Sequence, residues 1–442
     1  MAPTSSARRL PEGGRIDRTA PLTMRFDGRP VDGFSGDTLA SALLASGEGI
    51  VARSFKYHRP RGIVAAGPEE PCALVEIGSG ARREPNVRAT TVKAADGLEA
   101  FGQNAWPSVR FDVGAINRAL APLIAAGFYY KTFIGPFAGT RFWMFCEHYI
   151  RRAAGMGRAP AEPDPDIYEK INTFADLVIV GSGPAGLSAA LLAGRMGADV
   201  LLVEQDTDLG GSLLCEPVGS TMDAWRAETV DALEQLPNVR ILTGTTAFGA
   251  YDGNVFGLIE QVGDSAAATG WGLPRQRFHL LRAREAVLAT GAIEQPLVFA
   301  GNDHPGVMLA SAVRTYANRY AVLAGERIVI ATSNDTAYAA AGDLAAAGAS
   351  VTVCDLRAEP PAEVLRIAET ARVHVYPGTG VMEAVGNANV VAAQIAAVDR
   401  RGHAIGPIRT IACDVVASSA TYAPALHLWS QRFGKPVFDK AA

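Results

Sequence analysis

The stretch DLVIVGSGPAGLSAALLAGRMGADVLLVEQ, beginning at Asp176, constrains this chain more than any other. An unbroken apolar run, a glycine turn, a small-residue helix and a second apolar run ending in an acid predict one βαβ unit of a parallel sheet. Gly181 permits the tight turn out of the strand, Gly183 lets backbone amides approach a pyrophosphate, and Gly186 lets the helix lie close to the sheet. Glu204, 23 residues past Gly181, stands where a carboxylate accepts ribose hydroxyls and repels a 2′-phosphate, which favours NAD or FAD over NADP. The candidate cofactor-binding set is Gly181, Ser182, Gly183, Pro184, Ala185, Gly186, Glu204 and Gln205, with Gly211 of the following Gly-Gly pair and Thr290 and Gly291 of an ATG triplet. In two-dinucleotide flavoproteins, segments of these last two kinds pack against the same nucleotide.

A second unit of similar order starts at Arg327, RIVIATSNDTAYAAAGDLAAAGASVTVCD. Its glycine positions are filled by Ala331 and Ser333, and Asp335 would repel phosphate. The unit either keeps the fold without a ligand or binds one through altered contacts, with Asp355 as the acid at the next strand end. Ahead of both units, residues 22–47 read as two short strands around Asp27-Gly28 and then an apolar-periodic helix, a small β-grasp-like beginning. The expected division is 1–95 for this small domain, 96–170 for an aromatic-rich connecting segment closing in the linker APAEPDPD, 171–325 for the first dinucleotide-binding domain, and 326–442 for the second, degenerate one with an incomplete return to the first. The fold class is therefore α/β, a two-dinucleotide-binding-domain, Rossmann-like flavoprotein fold behind a small β-grasp-like domain.

With 442 residues, 48% of them apolar, the chain can bury several cores. Its 45 acidic and 41 basic residues nearly balance, so no field of one sign calls for nucleic acid or an anionic membrane. Five scattered cysteines, at 72, 146, 215, 354 and 413, form no metal-spaced pair and suit a reducing compartment; with no apolar signal or membrane-length stretch, the expected location is the cytoplasm. The run RSFKYHRPRG from Arg53 gathers Arg53, Lys56, His58, Arg59 and Arg61 around Phe55 and Tyr57, either to hold a phosphate or an acidic loop of a partner, or as a solvated basic loop. The aromatics Phe128, Tyr129, Tyr130, Phe133, Phe142 and Trp143 are read as a subunit interface rather than a flavin-stacking set. No nucleophile triad, metal site or acid/base dyad is evident, and the catalytic residues are left unassigned.

The chain resembles the alpha subunits of heterotetrameric sarcosine oxidase. The matching stretches are RLPEGGRIDR from Arg9, GDTLASALLASG from Gly36, RSFKYHRPRG from Arg53, GARREPN from Gly80, NAWPS from Asn104, AGFYYKTF from Ala126, GSGPAG from Gly181 and FAGNDHPGVMLASAVRTYANRY from Phe299. The resemblance implies oxidative demethylation of sarcosine to glycine with peroxide formation. It implies amine oxidation on FAD in a beta subunit, an FMN between alpha and beta, NAD in the GxGxxG fold, and smaller gamma and delta subunits. Related complexes carry a cysteine-ligated [2Fe–2S] cluster in the leading domain; here that domain offers Cys72 alone, and the resemblance implies a ferredoxin-like fold without its cluster. Family members continue with a last nucleotide-domain segment and a folate-binding domain, and this chain ends at Ala442 before either, as a fragment, a split gene or a shortened member would. The alternatives are a free-standing NAD(P)H-dependent FAD reductase and the alpha subunit of a related proline or opine dehydrogenase complex.

Overall fold

In the computed structural model, residues 8–122, 139–153, 155, 157, 159–263, 272–432 and 434–437 are described. The chain divides into two compact units, one made of Met1–Pro163 and Gln295–Thr421, the other of Asp164–Glu294 and Tyr422–Ala442.

In the second of these units, a six-stranded sheet runs Val239–Leu242, Val200–Val203, Tyr168–Val180, Gln276–Leu288, Val255–Gln261 and Thr245–Tyr251. Its first four strands are parallel, and the remaining pairings are antiparallel. The continuous apolar runs noted in the sequence are what a parallel sheet covered on both faces requires: Val178, Ile179, Val200, Leu201, Leu202 and Val203 are all buried. The strand expected from Asp176 starts earlier, at Tyr168. Its first half pairs in register with Gln276–Arg282, so partner contacts extend it where the mixed sequence YEKINTF gives no apolar run. Helix Pro184–Arg195 has proline at its first turn and buries Gly186, Leu187, Ala190 and Gly194. Small residues at every fourth position let it pack closely: a methyl at Gly194 would meet Val239 at 2.6 Å.

The other unit holds a small mixed sheet and a larger parallel one. The small sheet has the order Arg29–Ser35, Asp17–Phe26, Glu99–Gly102, Leu74–Ile77, Glu84–Arg88, and covers helix Leu39–Ala45. Thr38 opens that helix with a capping box shared with Ser41. The sheet reaches past residue 95 because Glu99–Gly102 supplies the central strand, parallel to one neighbour and antiparallel to the other; four residues, EAFG, show too little alternation to be recognised alone. The larger sheet has the order Val307–Leu309, Val415–Ser419, Arg327–Thr332, Ser350–Asp355, His374–Pro377, all parallel, with a three-stranded antiparallel sheet alongside. One apolar core joins the two: Met24, Phe26, Leu39 and Leu43 belong to the same cluster as Val313, Tyr316, Tyr338 and Val353. Among the described residues no helix is long and apolar enough to cross a membrane.

Candidate functional site

The glycine turn after strand Tyr168–Val180 is built by close backbone contacts. Gly181 has φ of 100°, and a methyl there would lie 2.4 Å from the Ala289 carbonyl oxygen. A methyl at Gly186 would fall 1.8 Å from the carbonyl oxygen of Gly181 and 3.4 Å from the Ala289 side chain. The ATG segment thus packs directly on the turn. Gly211 does so from the other side, where an added methyl would meet the Gly183 Cα at 2.9 Å. Gly183 is different: a methyl there would meet nothing within 4 Å. The one open position of the turn therefore lies at the N-terminus of helix Pro184–Arg195, whose first turn receives no side-chain cap. Uncapped amides carrying the positive end of the helix dipole, beside open space, fit a pyrophosphate.

Glu204 is 6% exposed and belongs to the framework of this turn. Its Oε2 accepts from the Ser182 backbone N–H (2.8 Å) and hydroxyl (2.6 Å), and its Oε1 accepts from Asp206 N–H (2.9 Å). The Gly210 N–H donates in turn to the Ser182 hydroxyl oxygen (3.1 Å). A carboxylate offers about four acceptor positions, so three are used in bracing the turn and little is left for ribose hydroxyls. Pro184, Ala185, Gln205 and Gly211 are exposed around it, as are Thr290 and Gly291. The Thr290 hydroxyl donates to Ala425 O (2.8 Å), while a methyl at Gly291 would meet nothing. The residues marked in the sequence are brought together in one place, and Ser182 acquires a bridging role that motif reading alone did not give it.

The second βαβ unit is closed by its own side chains. Asn334 Oδ1 accepts from the Thr336 N–H (3.0 Å) and Ala337 N–H (3.4 Å), occupying the helix amides that a phosphate would need. Arg357 binds Asp355 through Nε and Nη2 (2.7 Å) and Asp335 through Nη1 (2.6 Å). Asp355, whose side chain is fully buried, also accepts from the Tyr338 hydroxyl (2.8 Å). Burial, then that hydrogen bond, pushes the Tyr338 phenol well up, while the hydrogen bonds Arg357 donates to Asp355 lead in raising Arg357. The acid expected at this strand end is present, but its acceptors are taken. Arg357, two residues beyond Asp355, was the unread signal.

The basic run from Arg53 is also satisfied internally. His58 Nδ1 lies 2.7 Å from Asp112 Oδ2, and Arg53 stands 3.6 Å from the same carboxylate and donates to Val109 O and His58 O. Arg59 and Arg61 pair with Asp303 at 3.3 and 2.6 Å. Arg53, His58, Arg59 and Arg61 thus meet acids of this chain. Burial lowers Arg53 and Asp112 opposes that. Phe142 is exposed and Trp143 half-buried on helix Arg141–Ala153; Phe128, Tyr129, Tyr130 and Phe133 lie outside the described residues. All five cysteines are free thiols. Burial pushes Cys354 and Cys413 up to about 12. Among the described residues no three His, Cys, Asp or Glu side chains gather as a metal site would require.

Residues 19–105 match the family described as 2Fe-2S iron-sulfur cluster binding domain, and residues 176–247 match FAD dependent oxidoreductase. The sarcosine oxidase subunit alpha of Rhizobium meliloti (strain 1021) is 48% identical over 99% of this chain and 44% of its own length. That of Corynebacterium sp. (strain P-1) is 36% identical over 96% of this chain and 40% of its own length. The crystal structure of L-proline dehydrogenase from P.horikoshii aligns with TM-score 0.60 and 20% identity, covering 98% of this chain and 66% of that one, and shares the fold. The chain spans less than half the length of the two curated relatives and, along nearly all of its own length, is similar to sarcosine oxidase alpha subunits.

Proposed function

We propose that this chain is the alpha-type subunit of a multi-subunit, amine-oxidising flavoenzyme of the sarcosine oxidase kind, and that its glycine turn carries NAD. The observation that bears the most weight is the open position at Gly183 above uncapped helix amides, in a chain 48% identical to a sarcosine oxidase alpha subunit. Gly181, Gly183 and Gly186 would let the pyrophosphate approach, and Glu204 would keep one acceptor position for the ribose while holding Ser182. A nicotinamide dinucleotide bound there would supply a hydride acceptor, or serve only as a fixed part of the fold. The reaction in this reading is oxidative demethylation of sarcosine to glycine with formation of peroxide, and the amine is oxidised on the FAD of a beta subunit.

A partner is supported by the large apolar side chains left in solvent by the ferredoxin-like region and the segment that follows it. Trp106 and Phe111 are 71% and 70% exposed, Val113 and Ile116 are exposed beside them in sequence, and Phe55 is exposed in the run from Arg53. An FMN at the interface with the beta subunit, gamma and delta subunits completing a heterotetramer, a cluster-free leading domain and a cytoplasmic location belong to the same proposal. The closed second unit speaks against a free-standing NAD(P)H-dependent FAD reductase, which needs two working sites.

The test is to co-express the chain with its FAD-bearing partner, purify the complex, denature it and identify the released nucleotides by mass spectrometry. NAD from this chain, with FMN appearing only in the complex, is the expected result. FAD released from this chain alone would overturn the assignment in favour of the reductase, and an empty chain would overturn both.

A further inference from the structure

The family matched by residues 19–105 is defined by a [2Fe–2S] cluster, a group held by cysteine thiolates, in one common arrangement spaced C-x4-C-x2-C. This stretch contains a single cysteine, Cys72. With Cys72 in the third position, the first two fall on Val64 and Glu69, neither of which supplies a thiolate. The residues present do not fit the cluster.

A carboxylate stands inside the loop instead. Glu70 is 1% exposed. Its Oε2 accepts from the N–H groups of Val64 (2.8 Å) and Ala65 (2.7 Å), and its Oε1 from those of Cys72 (2.7 Å) and Ala73 (2.8 Å). Backbone N–H groups converging in this way form an anion site, the device that proteins use around phosphates and iron–sulfur clusters alike. A proton on the carboxyl would have to share this space with four converging donors, so the geometry calls for the anion. We propose that Glu70 is a built-in replacement for the anionic cluster, its carboxylate organising the 64–73 loop through four amides so that the ferredoxin-like domain folds and docks without iron.

The outward side of the loop shows what this organisation serves. With the amides turned inward, its carbonyls point to the neighbouring elements: Val64 O accepts from Leu309 N–H (2.8 Å), Ala65 O from the Tyr316 hydroxyl (2.9 Å) and Gly67 O from the Thr90 hydroxyl (2.7 Å). Leu309 ends the edge strand Val307–Leu309 of the larger parallel sheet and Tyr316 lies in the helix Ala310–Tyr320 that follows it, within the same compact unit, so the loop is the seat on which that layer rests. Burial raises the Glu70 carboxyl and the four N–H groups oppose it, which is why so many donors are required. Burial, and then Glu70, push the Cys72 thiol up to about 11, the reverse of what a metal-ligating thiolate needs.

Two measurements on the full chain test this. Iron and acid-labile sulfide are assayed after anaerobic purification, and again after incubation with ferrous iron and sulfide; neither sample is expected to carry a cluster, and one cluster per chain in either would overturn the proposal. Amide hydrogen exchange is then compared in the wild type, Glu70→Gln and Glu70→Asp. Glu70→Gln turns an NH2 group toward two of the four donors, and exchange across residues 64–73 is expected to rise about tenfold or more, with Val200–Val203 unaffected. Glu70→Asp, which keeps the charge, is expected to exchange more slowly than Glu70→Gln. Equal rates in those two, or no change in Glu70→Gln, would sink the idea, and the iron assay reads it whether or not the variants accumulate. The proposal does not depend on what the glycine turn binds.

Discussion

Two glycines one helical turn apart separate folding from binding. A methyl at Gly186 would overlap the Gly181 carbonyl oxygen at 1.8 Å, and backbone cannot yield there without moving the strand end. Gly186→Ala is therefore expected to destabilise by about 3 kcal/mol and to lower the melting temperature of the nucleotide domain by roughly 10 °C. A methyl at Gly183 meets nothing, and its cost at a helix N-cap is about 1 kcal/mol or less. Gly183→Ala is thus expected to melt within a few degrees of the wild type while losing its nucleotide. Calorimetry together with nucleotide analysis of the purified variants distinguishes the two. A Gly183→Ala protein that kept its full nucleotide would mean that the open space is not where the pyrophosphate lies.

At the scale of the element, the two βαβ units share an order of strand, turn and helix and differ in what caps the helix. In the first the amides face open space; in the second Asn334 caps them and Arg357 ties Asp335 to Asp355. Arg357→Ala would leave the fully buried Asp355 carboxylate with the Tyr338 hydroxyl but without its cation. It is expected to cost about 2 kcal/mol, below the full penalty for a buried pair because Arg357 itself is partly in solvent. Nucleotide content should not change, since the unit reserves no site; a loss of nucleotide in this variant, measured on the same samples, would show that the second unit does bind. The contrast also marks what was legible in the sequence. Glycine spacing and apolar runs predicted both units and gathered Gly181, Gly186, Glu204 and the ATG triplet, because those features are local and each answers to backbone geometry. Asn334, Arg357 and Glu70 escaped because their partners are set by side-chain direction and by amides of neighbouring turns, which no period in the sequence records. The basic run from Arg53 was legible as charge but not as charge already answered, since Asp112 and Asp303 lie far along the chain.

For the whole molecule, the sequence order suggests a small leading domain that could be cut away, and the packing opposes it. The family match ends at residue 105, yet the core of that region is completed from residues some two hundred positions later. Met24, Phe26, Leu43 and Val75 share one cluster with Val313, Tyr316, Tyr320 and Ala417, and the Tyr316 hydroxyl reaches the Ala65 carbonyl. A domain of under 100 residues already buries too little apolar surface to be secure, and removing part of its core takes away about 25 cal/mol for every Å² returned to water. A fragment of residues 19–105 is therefore expected to lack a cooperative thermal transition and to exchange its amides at rates near those of an unfolded chain. In the full chain the same residues should melt together with Arg327–Thr332 and Ser350–Asp355 as a single step, followed by amide exchange along a denaturant series. A fragment that melted sharply on its own would mean that the shared core is an interface between two independent domains; the loop around Glu70 would then be a docking surface rather than part of one folding unit.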